Sequence, residues 1–129
     1  MTTIINANTS AGLTQTADTS GIIKVQSNGV TTNALAWVNF NGVTTASIRA
    51  SFNVSSVTRN STGDYTINFT TALSDANFVV CGTAGGSGYL MNTYDVGTAR
   101  TTSLVRVTTF PVSGSSTDVT QGNVAIFGN

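Results

Sequence analysis

The chain has 129 residues, five basic and five acidic side chains that cancel, and no histidine. Threonine, serine and asparagine supply roughly two residues in five, while the charged share of 8% is far below the usual level of about 25%. Such an inventory leaves little for proton transfer, metal ligation or phosphate binding, whereas an apolar content of 40% is enough to build one core. Lys24, Arg49, Arg59, Arg100 and Arg106 are scattered, so no basic footprint for nucleic acid or an anionic surface is present. No apolar run approaches membrane-spanning length, and membrane insertion is not expected.

Residues 1–21 are polar and turn-rich, with Ile4, Ile5 and Leu13 as the apolar anchors. They are expected to form an extended N-terminal arm lying against a neighbouring subunit, ahead of a β-sandwich domain over residues 22–129. The opening Met1-Thr2-Thr3-Ile4 has neither a basic nor an apolar leader segment, so no secretory signal is expected.

From Ile22 onward strand signals are frequent. Ile22 to Gln26 reads as a short strand closed by Ser27-Asn28-Gly29. Leu35 to Phe40 is apolar on both faces, Ala36, Val38 and Phe40 on one and Leu35 and Trp37 on the other. That strand is expected to be central, or buried on one side by a partner chain, with Trp37 burying the core or a subunit boundary. Asn41-Gly42 follows as a tight hairpin signal, since such turns need positive φ at both positions. In the return strand Ile48, Ala50, Phe52 and Val54 alternate with Ser47, Arg49, Ser51, Asn53 and Ser55, which predicts one buried and one wet face.

A second turn cluster, Asn60 to Asp64, leads into Tyr65, Ile67 and Phe69 alternating with Thr66, Asn68 and Thr70, and predicts another antiparallel hairpin. Asn77 to Cys81 reads as a strand in which Cys81, the single cysteine, is a small core residue. After the glycine-rich stretch Gly82 to Gly88, residues 89–100 read either as a strand around Tyr89 to Thr93 or as a long loop. Ser103 to Thr109 predicts a strand stopped by Phe110-Pro111, and Asn123 to Phe127 the last one. Short strands, turn signals every ten residues or so and no credible helix predict an all-β fold, an antiparallel β-sandwich of jelly-roll-like type.

Chemistry-bearing patterns are thin. Without histidine, nucleophilic catalysis lacks its usual base. Asp18, Asp64, Asp75, Asp95 and Asp118 sit in turn contexts and give no visible carboxyl pair for hydrolysis. The glycine-rich stretch lacks the lysine of a phosphate loop. The expectation is therefore a protein that is not an enzyme, with no cofactor and no metal site. Tyr89, Asn92, Tyr94 and Asp95 are the one grouping with recognition chemistry. Aromatic rings stack on sugars, and amide and carboxylate groups bond sugar hydroxyls. The competing reading is that the two tyrosines pack on a sheet edge or subunit boundary.

The stretch Ala36-Trp37-Val38-Asn39-Phe40-Asn41-Gly42, followed by Ile48 to Val57, Thr62 to Leu73 and Asp75 to Phe78, resembles tailed-bacteriophage tail fibre proteins. The lead-in Ile5-Asn6-Ala7 through Gln26-Ser27-Asn28-Gly29 and the ending Val124 to Gly128 resemble them too; the likeness weakens between Gly82 and Thr102. The resemblance implies a virion structural protein, made in the host cytoplasm and acting in host attachment as a homotrimer. Its partners would be other virion proteins of the tail, baseplate or capsid, and a host-surface glycan. The alternative is a capsid decoration protein that stabilises the phage head.

Overall fold

The computed structural model describes residues 26–27, 30–31, 33–86, 88–94, 97 and 99–128. The expected arm and the strand from Ile22 up to residue 25 lie outside the described residues. The described chain is all β. Two two-residue strands, β1 (Gln26–Ser27) and β2 (Val30–Thr31), pair antiparallel with Gln26 opposite Thr31 and Ser27 opposite Val30. The main strands are β3 (Ala36–Asn41), β4 (Ser47–Phe52), β5 (Val54–Ser61), β6 (Asp64–Phe69), β7 (Val79–Ala84), β8 (Tyr89–Thr93), β9 (Leu104–Pro111) and β10 (Gly122–Phe127). They form two four-stranded antiparallel sheets in the orders β4-β3-β10-β7 and β5-β6-β9-β8. The sheets pack face to face as the expected sandwich, and the chain crosses between them after β4, β6, β7 and β9.

Period-two patterning puts the core where it belongs. Ala36, Val38 and Phe40 of β3 meet Tyr65, Ile67 and Phe69 of β6, with Val105, Val107, Val124 and Ile126 completing the interior. Phe40 and Tyr65 make an edge-to-face contact with centroids 5.1 Å apart, and Phe69 and Phe78 a second at 5.9 Å. As expected, β3 is an interior strand of its sheet.

Of the two places expected for Trp37, the core of the domain is excluded and the subunit boundary stays open. The Trp37 side chain stands on the outer face of the first sheet, 40% exposed, and takes no part in the domain core. The clean alternation over 48–54 is also broken. The β3–β4 register shifts at Asn39/Phe40, where Phe40 pairs with Ile48 and Asn39 with Ala50, leaving Arg49 as the extra residue of a bulge. One inserted residue reverses the phase, so Ile48 packs inward while Phe52 points outward opposite Trp37. Asn53, at φ 54°, then turns the chain into the other sheet, and its amide holds the corner through Leu35 O at 3.1 Å and Thr71 O at 3.2 Å.

Three local expectations change with the same geometry. Gly42 does not adopt positive φ; the left-handed residue of that turn is Thr44, at φ 59°. Gly42 is required because a Cβ there would land on the Tyr65 hydroxyl and ring. β9 runs on through Pro111, which pairs with Tyr89 beyond the reach of β6, so the missing N–H breaks no bond on that side. Cys81 is exposed, not a core residue, because β7 turns Phe78 and Val80 inward and Val79 and Cys81 outward.

Candidate functional site

The strand reading of residues 89–93 holds, and β8 settles the geometry of the recognition grouping. β8 is an edge strand whose register places Tyr89 opposite Pro111 and Asn92 opposite Thr108 on β9. Met91 packs on the core, so Tyr89 and Thr93 share its inward side, while Leu90 and Asn92 face out. Tyr89 and Asn92 are therefore separated onto opposite faces of the strand. Asn92 and Tyr94 share the outer face; Asp95 lies outside the described residues. The structure brings together one pair of the four.

Tyr94 is held in place by charge. Its backbone N–H donates to Arg106 O at 2.9 Å, and the Arg106 guanidinium lies over its ring, 4.2 Å from the centroid. Arg106 forks onto Asp64, with Nε on Oδ1 at 2.7 Å and the second nitrogen on Oδ2. Asn60 Nδ2 donates to the same carboxylate at 3.0 Å and to Thr66 Oγ1 at 2.9 Å. The Arg106 hydrogen bonds, and then that of Asn60, hold the Asp64 carboxyl below the ordinary aspartate range against the opposing effect of burial. The outer face of the second sheet thus carries a fixed aromatic ring beside amide and hydroxyl groups.

Between the edges β7 and β8 an open cleft of about 330 Å³ is lined by Val80, Gly82, Met91, Asn92, Thr93 and Val107. Gly82 lets the two edges approach, since a Cβ there would sit 2.6 Å from Met91 Sδ. Asn92 belongs both to this cleft and to the outer face that carries Tyr94. The volume is at the low end of small-molecule sites, of about 300 Å³ upward.

A second charged cluster closes one end of the sandwich. Asp118 accepts from Arg59 Nε at 2.9 Å and its terminal nitrogen at 2.8 Å, from Gly63 N–H at 2.8 Å and from the Tyr65 hydroxyl at 3.0 Å. Arg59 first, then the Gly63 N–H and the Tyr65 hydroxyl, depress the Asp118 carboxyl, while burial pushes the Tyr65 phenol up. The sequence had presented Asp64 and Asp118 as turn aspartates. Both are ion-pair partners, and only strand register shows it, because Arg106 and Arg59 lie 42 and 59 residues away. Carboxylates held ionised in this way are poor proton donors near neutrality. Among the described residues no group of three or more histidine, cysteine or acidic side chains is placed to hold a metal ion. Compared with known proteins, the chain matches no family model, no curated protein and no solved structure.

Proposed function

We propose that this chain is a bacteriophage virion component, the receptor-adhesion domain of a tail fibre, working as a homotrimer and acting by binding. The observation that carries the reading is the outer face of β8 and β9, which carries Tyr94, fixed by Arg106 and Asp64, and Asn92, which also lines an open cleft. An aromatic ring with amides and hydroxyls around it is the chemistry that takes a sugar of a host-surface glycan. Single contacts of this kind are weak, and three copies on one particle raise the overall strength through effective concentration. Further support comes from where the fibre-like stretch falls: residues 36–78 supply β3 to β6 and most of the buried core. Attachment to other virion proteins at the tail follows from the same reading.

Cryo-electron microscopy of the phage particle that carries the chain tests it. Density for the sandwich at the tail tip is expected. Density at capsid symmetry axes overturns the fibre assignment in favour of a head-decoration protein. Binding of the purified protein to host polysaccharide, reduced at least tenfold by Tyr94→Ala with the circular dichroism spectrum unchanged, is the expected biochemical counterpart.

A further inference from the structure

Resting on the homotrimer reading, we infer that the outer face of the first sheet is the surface through which copies of this chain contact one another. Strand register lines up Phe52, Trp37, Ala125 and Cys81 in one row across β4, β3, β10 and β7. The next row places Phe127 beside Val79. Exposures of 48% for Phe52, 40% for Trp37, 37% for Phe127 and 62% for Val79 leave large apolar side chains in water. Together they show on the order of 350 Å² of apolar surface, within the range of the largest patch on a typical monomer and commonly a functional one.

The partner is specified by shape and charge. Phe52 and Trp37 form a ridge, and beside it Ala125, Gly82 and Cys81 line a shallow hollow of about 420 Å³ bounded on one side by Trp37. Ridge and hollow belong to the same face, so the ridge of one copy can seat in the hollow of another; in the homotrimer on which the inference rests, that contact repeats around the axis. None of the outward residues of β3, β10 and β7 is charged, and the chain carries no net charge to oppose self-association. The polar row is already satisfied internally: Asn39 Nδ2 donates to Asn123 Oδ1 at 2.5 Å, and Asn123 Nδ2 to Thr83 Oγ1 at 3.1 Å. Both amide nitrogens keep these partners when the row is covered. Four strands of six residues give a face of about 19 by 20 Å. With corrugation this is on the order of 600 Å² per protomer, divided between two neighbours, or about 1,800 Å² buried by the three copies together.

Light scattering on the full chain, with Trp37→Asp and Phe52→Asp as test variants and Leu90→Asp on the other sheet as control, decides the matter. The expected result is three chain masses for the wild type and the control, and one chain mass for both test variants with β-sheet circular dichroism retained. Cys81, in the proposed contact, gives a readout that needs no variant: its reaction with a thiol reagent should be at least tenfold slower in the wild-type assembly than in denatured chain. A wild-type trimer that the two aspartates leave intact, or whose Cys81 reacts freely, overturns the assigned face and leaves the trimer standing. A wild-type monomer overturns both.

Discussion

Replacing Asp118 by alanine removes a carboxylate that joins three parts of the chain at one end of the sandwich: Arg59 on β5, the turn at Gly63, and Tyr65 on β6. Arg59 keeps a quarter of its side chain in solvent and is rehydrated when the carboxylate goes, so it adds little to the cost. Gly63 is buried, and its N–H left unpaired costs about 1–2 kcal/mol. Tyr65 is fully buried, but its hydroxyl has a fallback in Gly42 O at 3.3 Å, which limits that part to about 0.5–1 kcal/mol. The expected total from these two donors is about 2 kcal/mol, or near 7 °C in Tm for a domain of this size. Urea unfolding followed by circular dichroism measures it. Arg59→Ala alone should cost clearly less than Asp118→Ala, because a solvent-exposed ion pair contributes little. A loss below about 1 kcal/mol for Asp118→Ala would refute the idea that this carboxylate satisfies buried donors, since water would then be serving them.

The pH dependence follows from the two depressed carboxyls. Asp64, held down first by Arg106, and Asp118, held down first by Arg59, bind protons less readily folded than unfolded. Their stabilisation is therefore present above the unfolded value of about 3.9 and lost as pH falls through the lower folded values. The urea midpoint should hold from pH 7 to 5 and drop below about pH 4, and the Asp64→Asn, Asp118→Asn double variant should show a flatter acid limb; an equal slope contradicts the assignment. Phe40→Ala, at a fully buried ring in contact with Tyr65, should cost about 3–5 kcal/mol in the same unfolding assay. Gly42→Ala should cost about 1–3 kcal/mol, because the new methyl falls on a Tyr65 ring with no room to move; a neutral result there would show that the turn shifts freely.

Much of the strand pattern was legible because alternation is a local property. Tyr65, Ile67 and Phe69 announce their inward face from the sequence alone, and the structure buries all of them. The face of Phe52 was not legible. The Arg49 bulge that turns it outward arises from pairing with β3, and no residue type within 47–54 marks it. Cys81 went the same way, because an apolar run of four looks buried on both faces while the outer face of the β7 sheet, to which Cys81 points, is open. Of the recognition residues, Asn92 and Tyr94 share a face by simple spacing, and Tyr89 is excluded by the same spacing once residues 89–93 are known to be a strand.

By itself the sequence determined the class of fold: hydroxyl and β-branched residues in period two, punctuated by turn signals, cannot bury their apolar side except as sheet against sheet. It also determined the poverty of acid–base groups. Tertiary structure alone decided which arginine neutralises which aspartate, that Trp37 and Phe52 stand side by side in water, and that Arg106 stacks on Tyr94. Each of these depends on register between strands far apart in the chain, and register is fixed by the collective fit of the core, which no local window of residues contains.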